Sequence, residues 1–135
     1  MDVLIAGFVL GAAHFLLGGL WYSPIGFGTI WMRGLGINRV DIAEAATNVR
    51  AGLAVSAILS LLQTAALILI LVGMGGVSAP GGAAIGALVA IAFAFLPMAK
   101  DRVWADRPWS VILVDAGYEV LGAAMVGGLA AWWLW

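Results

Sequence analysis

The sequence contains no cysteine, and this absence excludes several kinds of site. Disulfide bonds, iron–sulfur clusters and thiolate zinc centres all need cysteine sulfur, so none of them can form within this chain. The redox state of its compartment stays undetermined for the same reason. The chain also lacks a phosphate-cradling loop, a dinucleotide fingerprint and a nucleophile elbow, so we expect no cofactor.

Charge is scarce as well. Charged residues make up 10% of the chain and hydrophobic residues 64%, whereas a soluble domain carries about 25% charged residues. The surplus apolar surface needs lipid to cover it, so the lipid bilayer is the first expected partner. The net charge of −1 provides no basic field for nucleic acid.

Four apolar runs remain, and each is close to the ~20 residues that cross a bilayer. They lack the period-2 alternation of spanning strands. The first run has neither the basic start nor the cleavage motif of a signal peptide, so we expect it to be retained. The third is the shortest, and Pro97 is expected to kink or end it. The sequence predicts an all-α polytopic membrane protein with a single transmembrane domain over 1–135 and helices over about 3–22, 42–72, 82–98 and 109–131.

The basic residues predict the orientation. All six cations fall in the first and third connections, and neither terminus carries one: Arg33, Arg39, Arg50, Lys100, Arg102 and Arg107. The positive-inside rule then places residues 23–50 and 99–108 in the cytoplasm and both termini outside. We expect a multi-pass protein of the cell inner (plasma) membrane.

The first connection contains further structure. Apolar residues recur over about 24–36, which predicts an interfacial segment lying along the membrane surface. Asp41 followed by Glu44 is typical of a capping box, with Asp41 as the N-cap and helix two beginning near Ile42.

Two motifs carry a family resemblance. They are Trp21-Tyr22-Ser23-Pro24 with Phe27-Gly28 and Trp31-Met32, and Arg107-Pro108-Trp109 with Val114-Asp115-Ala116-Gly117-Tyr118. Through them the chain resembles the DUF1761 family, small bacterial four-helix membrane proteins whose function is not established. The resemblance implies an integral membrane protein with this topology and implies no activity. Asp115 lies inside the second motif, whereas Glu119 and His14 lie outside both.

Two acids interrupt the last apolar run. Asp115 and Glu119 are four residues apart and therefore share one helical face. Counted from Pro108, they lie about 10 and 16 Å from the cytoplasmic edge. An ionised carboxylate at the centre of a spanning helix costs roughly 2.5–3.5 kcal/mol. The pair is interpreted as a proton-carrying or cation-binding site. The alternatives are that both are neutral acids donating hydrogen bonds across helices, or that Asp115 reaches a cytoplasmic arginine.

Polar groups on the other helices share this depth. His14 lies about 12 Å from the same edge, and helix two carries a polar stripe over 56–64. The predicted proton or ion pathway contains Glu119, Asp115, His14, Gln63, Ser60 and Ser56. The alternative is that the stripe only bonds helices together and that His14 is packed. No short-spaced ligand motif supports a metal site, so we expect none.

Three functional classes are compatible with these residues. The leading hypothesis is a small proton-coupled transporter or ion pathway, homo-oligomeric because four short helices enclose little space. The alternative is a structural or assembly subunit of a larger membrane complex. Its predicted docking residues are Trp21, Tyr22, Pro24, Phe27 and Trp31. An enzyme comes third, since no substrate-binding signature accompanies the acids.

Overall fold

The computed structural model describes the backbone of residues 2–44 and 46–135, and their side chains except at 39, 43, 44, 46 and 47. Throughout this part of the chain the regular elements are helices, and no strand occurs. They are α1 (Asp2–Trp21), α2 (Gly28–Leu35), α3 (Arg39–Glu44), α4 (Ala46–Gly73), α5 (Ala79–Ala90), a π-helical turn (Ile91–Phe95), α6 (Leu96–Trp104) and α7 (Trp109–Leu134).

Four helical stretches are long and apolar enough to cross a membrane, as the sequence predicts. They are Asp2–Trp21, Asn48–Gly73, Ala79–Trp104 and Trp109–Leu134. The third runs through α5, the π turn and α6. The all-α fold with four candidate spans is therefore confirmed.

The third span is longer than predicted, because Pro97 does not end it. Proline lacks an amide hydrogen, and its ring clashes with the carbonyl four residues earlier, here that of Phe93. The π turn Ile91–Phe95 includes that residue and is wider than an α-helical turn. It therefore accommodates the proline ring, and the helix continues to Trp104. At its other end, the Ser78 hydroxyl accepts a hydrogen bond from the Gly81 amide at 3.3 Å and starts the helix before the predicted residue 82.

The capping box of α3 lies one turn earlier than predicted. Asn38 Oδ1 accepts hydrogen bonds from the amides of Val40 and Asp41 at 2.8 and 3.1 Å, and Asp41 Oδ2 accepts one from the Asn38 amide at 2.7 Å. Asparagine is itself a preferred cap residue, so Asn38 takes the role predicted for Asp41. The side chain of Glu44 and the helix junction at residue 45 lie outside the described residues.

Helix α7 is the centre of the bundle. It contacts α1, α4 and α5, and its contact with α5 is the most extensive in the structure. In the most apolar stretch of each candidate span, 39% of the residues are buried for α7, compared with 17–28% for the other three spans. Helix α4 packs mainly on α1, and within the described residues α4 and α5 make only slight contact. One flank of the bundle is therefore open between α4 and α5.

Glycine allows α5 to approach α7 closely. A Cβ atom on Gly86 would lie 2.1 Å from the carbonyl oxygen of Ala123, and one on Gly82 would lie 2.2 Å from that of Gly127. Both distances are shorter than any real contact of a Cβ atom. Small residues at helix crossings allow this approach in membrane proteins.

The two ends of the bundle differ. We call the end where α1 stops and α7 starts the basic end, since the connections there carry the cations. At the opposite end, Ala6, Leu10, Ile68, Leu71 and Ala130 form a buried apolar core. Leu71 and Ala130 are each 0% exposed, so that end is closed by packing.

We predict that Gly86→Ala destabilises the bundle, because the added methyl group meets the backbone of α7. The expected loss is about 1–3 kcal/mol in the free energy of unfolding, the usual cost of overpacking. Gly52→Ala is the matched control, because a Cβ there meets nothing within 4 Å. Reversible unfolding in mixed micelles measures both variants. Equal stability of the two would contradict the close α5–α7 contact.

Candidate functional site

Asp115 is held from two sides near the start of α7. Arg107 Nη2 lies 2.5 Å from Asp115 Oδ2, and the Tyr22 hydroxyl donates a hydrogen bond to Asp115 Oδ1 at 2.8 Å. Arg107 also lies 3.7 Å from the carboxylate of Asp101. The side chain of Asp115 is 13% exposed and that of Arg107 is 31% exposed. Asp115 is therefore a compensated, largely buried acid.

Tyr22 follows α1 directly and joins that helix to α7. Burial, and then its hydrogen bond to Asp115, raise the pKa of Tyr22 well above the usual range of tyrosine. The phenol consequently remains a hydrogen-bond donor at physiological pH. Next to it, Trp21 Nε1 donates to the carbonyl of Val114 at 2.9 Å, and the Trp21 ring covers Gly117.

These contacts bring the two sequence motifs together. The chain after α1 folds back tightly, since the Phe27 amide donates to the Trp21 carbonyl at 2.7 Å. We call the resulting group the motif cluster: Trp21, Tyr22, Arg107, Val114 and Asp115. It closes the basic end of the bundle by fixing the end of α1 to the start of α7.

The predicted docking residues divide into two groups. Trp21, Tyr22 and Trp31 are partly buried, and the Tyr22 and Trp31 rings lie 5.5 Å apart. Pro24 is exposed, and Phe27 is 41% exposed although its ring lies 4.5 Å from that of Trp21. Docking to another protein through these residues stays a prediction.

Glu119, one turn further along α7, has different surroundings. Its Oε2 accepts a hydrogen bond from Gln63 Nε2 of α4 at 2.9 Å. Within the described residues no cationic side chain forms an ion pair with Glu119. Of the two acids, Asp115 is paired with an arginine, whereas Glu119 is bonded to a neutral amide.

A cavity of about 200 Å³ adjoins Glu119. Its polar lining residues are His14, Gln63, Thr64 and Glu119, and the others are apolar. The cavity is therefore large enough for a small ligand or several waters.

The cavity lies on the open flank of the bundle. Helix α4 borders it on one side, α5 and the π turn on the other, and α7 with His14 of α1 lies behind. Ala66 and Ile70 of α4 and Phe93 of the π turn line it and are exposed, Phe93 to 80%. The opening is therefore lateral, between an end closed by the motif cluster and an end closed by the apolar core.

Two buried side chains of the cavity lack hydrogen-bond partners. His14 is 2% exposed and Thr64 1%, and within the described part of the chain neither ring nitrogen of His14 nor Thr64 Oγ1 has a partner. The His14 ring rests on α7 at Gly122, where a Cβ would lie 2.3 Å from Nε2. A buried unsatisfied polar group costs about 1–3 kcal/mol, so each would gain from a bound partner.

The structure separates the six predicted pathway residues. Glu119, Gln63 and His14 line the cavity, while Asp115 belongs to the motif cluster. Ser60 is buried beside Tyr118, and Ser56 is exposed; neither lines the cavity. Across the described residues no three potential ligands lie close enough together to hold a metal ion.

Thr64 and Tyr118 are absent from the predicted pathway. Thr64 belongs to the polar stripe of helix two, so the sequence pattern alone could have placed it in the predicted pathway. Tyr118 precedes Glu119 and so points about 100° away around the helix, outside the face that the two acids define. Its hydroxyl donates to the carbonyl of His14 at 3.1 Å, which fixes α1 on α7 beside the cavity.

The fold and the cavity define a class: a bundle of four helices of membrane-spanning length, with an acid-lined cavity on one flank. The chain belongs to the DUF1761 family, because the family model described as "Protein of unknown function (DUF1761)" matches residues 5–130. The resemblance inferred from the two motifs is confirmed. No curated protein and no solved structure matches the chain.

We predict that Arg107→Gln destabilises the fold, because it leaves the largely buried Asp115 carboxylate without a countercharge. Removing one partner of a fully buried pair costs about 3–5 kcal/mol, and partial exposure should reduce that loss here. Adding Asp115→Asn to Arg107→Gln should recover part of it. Arg102→Gln is the matched control, since Arg102 pairs with Asp106, whose side chain is 90% exposed. Thermal unfolding in detergent measures the stability of each variant. Equal losses of stability in Arg107→Gln and Arg102→Gln would contradict a stabilising role of the Arg107–Asp115 ion pair.

Proposed function

We propose that this protein is a small proton-coupled transporter or ion pathway in which Glu119 is the group that binds the transported proton or cation. One observation carries the proposal: of the two acids on α7, Glu119 alone faces the cavity and has only a neutral partner, Gln63.

The cost of an isolated charge within a membrane favours a bound proton or cation at Glu119. Glu119 lies in a candidate span, where an ionised carboxylate without a countercharge is expensive. A proton or a cation bound there neutralises it, and the exchange of one for the other couples two fluxes. The titratable groups around it are His14 of α1, Asp115 and Tyr118 of α7, and Tyr22.

Asp115 takes a structural part in this proposal. Because it is paired with Arg107 and Tyr22, it holds the basic end closed instead of relaying protons. Transport requires the cavity to reach each side in turn, which movement of α4 relative to α5 would provide. The slight contact between α4 and α5 supports such a movement.

The assembly role receives less support. Four of the five predicted docking residues contact groups of their own chain: Trp21, Tyr22, Phe27 and Trp31. An assembly subunit also gives no reason for an acid that faces a cavity. We therefore keep transport as the proposed function.

Proton flux into proteoliposomes tests the proposal. Under an imposed pH gradient, the wild-type protein should carry protons faster than protein-free liposomes, and Glu119→Gln should return the rate to the protein-free level. Ser56→Ala is the control, because Ser56 lies on α4 outside the cavity lining and should retain the wild-type rate. Undiminished flux in a folded Glu119→Gln variant would overturn the proposal.

A further inference from the structure

We infer that the cavity binds a lipophilic primary amine in its ammonium form, which enters from the bilayer between α4 and the π turn. This inference names the substrate class of the transporter proposed above and rests on the role of Glu119 given there. Three features of the cavity support it: the apolar lining, the polar groups at the back, and the opening.

The apolar lining fits a hydrocarbon body. Leu67 and Ile70 of α4, Val89 of α5, Phe93 of the π turn and Val126 of α7 all line the cavity. Sites for small molecules are mostly apolar, with a few polar groups that fix orientation. A small hydrophilic ion could not use this apolar surface, whereas an alkyl or aryl group could.

The polar groups fit an ammonium head. Glu119 offers a carboxylate with one hydrogen bond from Gln63, and His14 and Thr64 keep buried polar atoms without partners. A primary ammonium carries three N–H donors and a positive charge. One donor with the charge matches the carboxylate. The other two donors would be accepted by His14 and Thr64 once a change of rotamer turns their buried polar atoms into the cavity. A quaternary ammonium offers no donor, and an alcohol offers no charge.

The opening indicates a lateral route. Ala66 and Phe93 are exposed on opposite borders of the cavity, and the helices that carry them make little contact. The motif cluster and the apolar core close the two ends. The π turn lies at this border, and such turns often occur at functional sites. A ligand that dissolves in the hydrocarbon layer therefore has the direct route.

Equilibrium binding to the full chain in lipid nanodiscs tests the inference, with 2-phenylethylamine as the probe and empty nanodiscs subtracted. We expect saturable binding of one amine per chain, weakened about 10- to 100-fold in Glu119→Gln, because a hydrogen bond to a charged group is lost. The neutral isostere 2-phenylethanol should show no saturable binding. Equal affinity of wild type and Glu119→Gln would overturn the inference.

A matched pair of variants tests the position of the site. Ala66→Phe places a ring at the mouth of the cavity and should abolish saturable binding. Ala65→Phe adds the same ring at the neighbouring exposed position, which does not line the cavity, and should leave binding unchanged. Because both positions are exposed, neither ring disturbs a buried contact. Equal binding by the two variants would contradict this site.

The outcomes separate this inference from the proposed function. Proton flux that depends on Glu119, without saturable amine binding, would overturn the amine and keep the transporter. Amine binding that depends on Glu119, without flux at any amine concentration, would support the binding site and overturn transport.

Discussion

The ion pair between Arg107 and Asp115 is the constraint on which the rest of the structure depends. It allows a carboxylate to lie inside the first turns of a helix that is otherwise apolar, and the Tyr22 hydrogen bond extends it to α1. Through these contacts the chain after α1 is fixed against the start of α7. The two family motifs thus account for a structural contact between α1 and α7.

Because Asp115 is neutralised within the chain, Glu119 becomes the acid available for other partners. It lies one helical turn away, yet it faces a cavity with only Gln63 bonded to it. Helix α5 packs closely on α7 at Gly86 and makes little contact with α4, and the cavity lies between α4 and α5. An acid paired with arginine and an acid bonded to a neutral amide therefore lie on neighbouring turns of one helix.

The sequence predicts the four helices of membrane-spanning length well, because long apolar runs are strong local signals. It places helix ends less well: Asn38 displaces Asp41 as the cap, and the π turn carries the helix past Pro97. It could not separate the roles of Asp115 and Glu119, since both share one face by spacing. Their roles depend on Arg107 and Gln63, contacts between segments that no periodicity shows.

Carbodiimide labelling measures directly which of the two carboxyl groups, that of Asp115 or that of Glu119, is accessible and free to react. A hydrophobic carbodiimide reacts with protonated carboxyl groups that it can reach within apolar surroundings, and fragment-ion mass spectrometry distinguishes residues 115 and 119. Our account predicts a stable adduct on Glu119, which adjoins the open cavity, and none on Asp115, which Arg107 and Tyr22 occupy. Labelling of Asp115 with Glu119 unmodified would contradict the account.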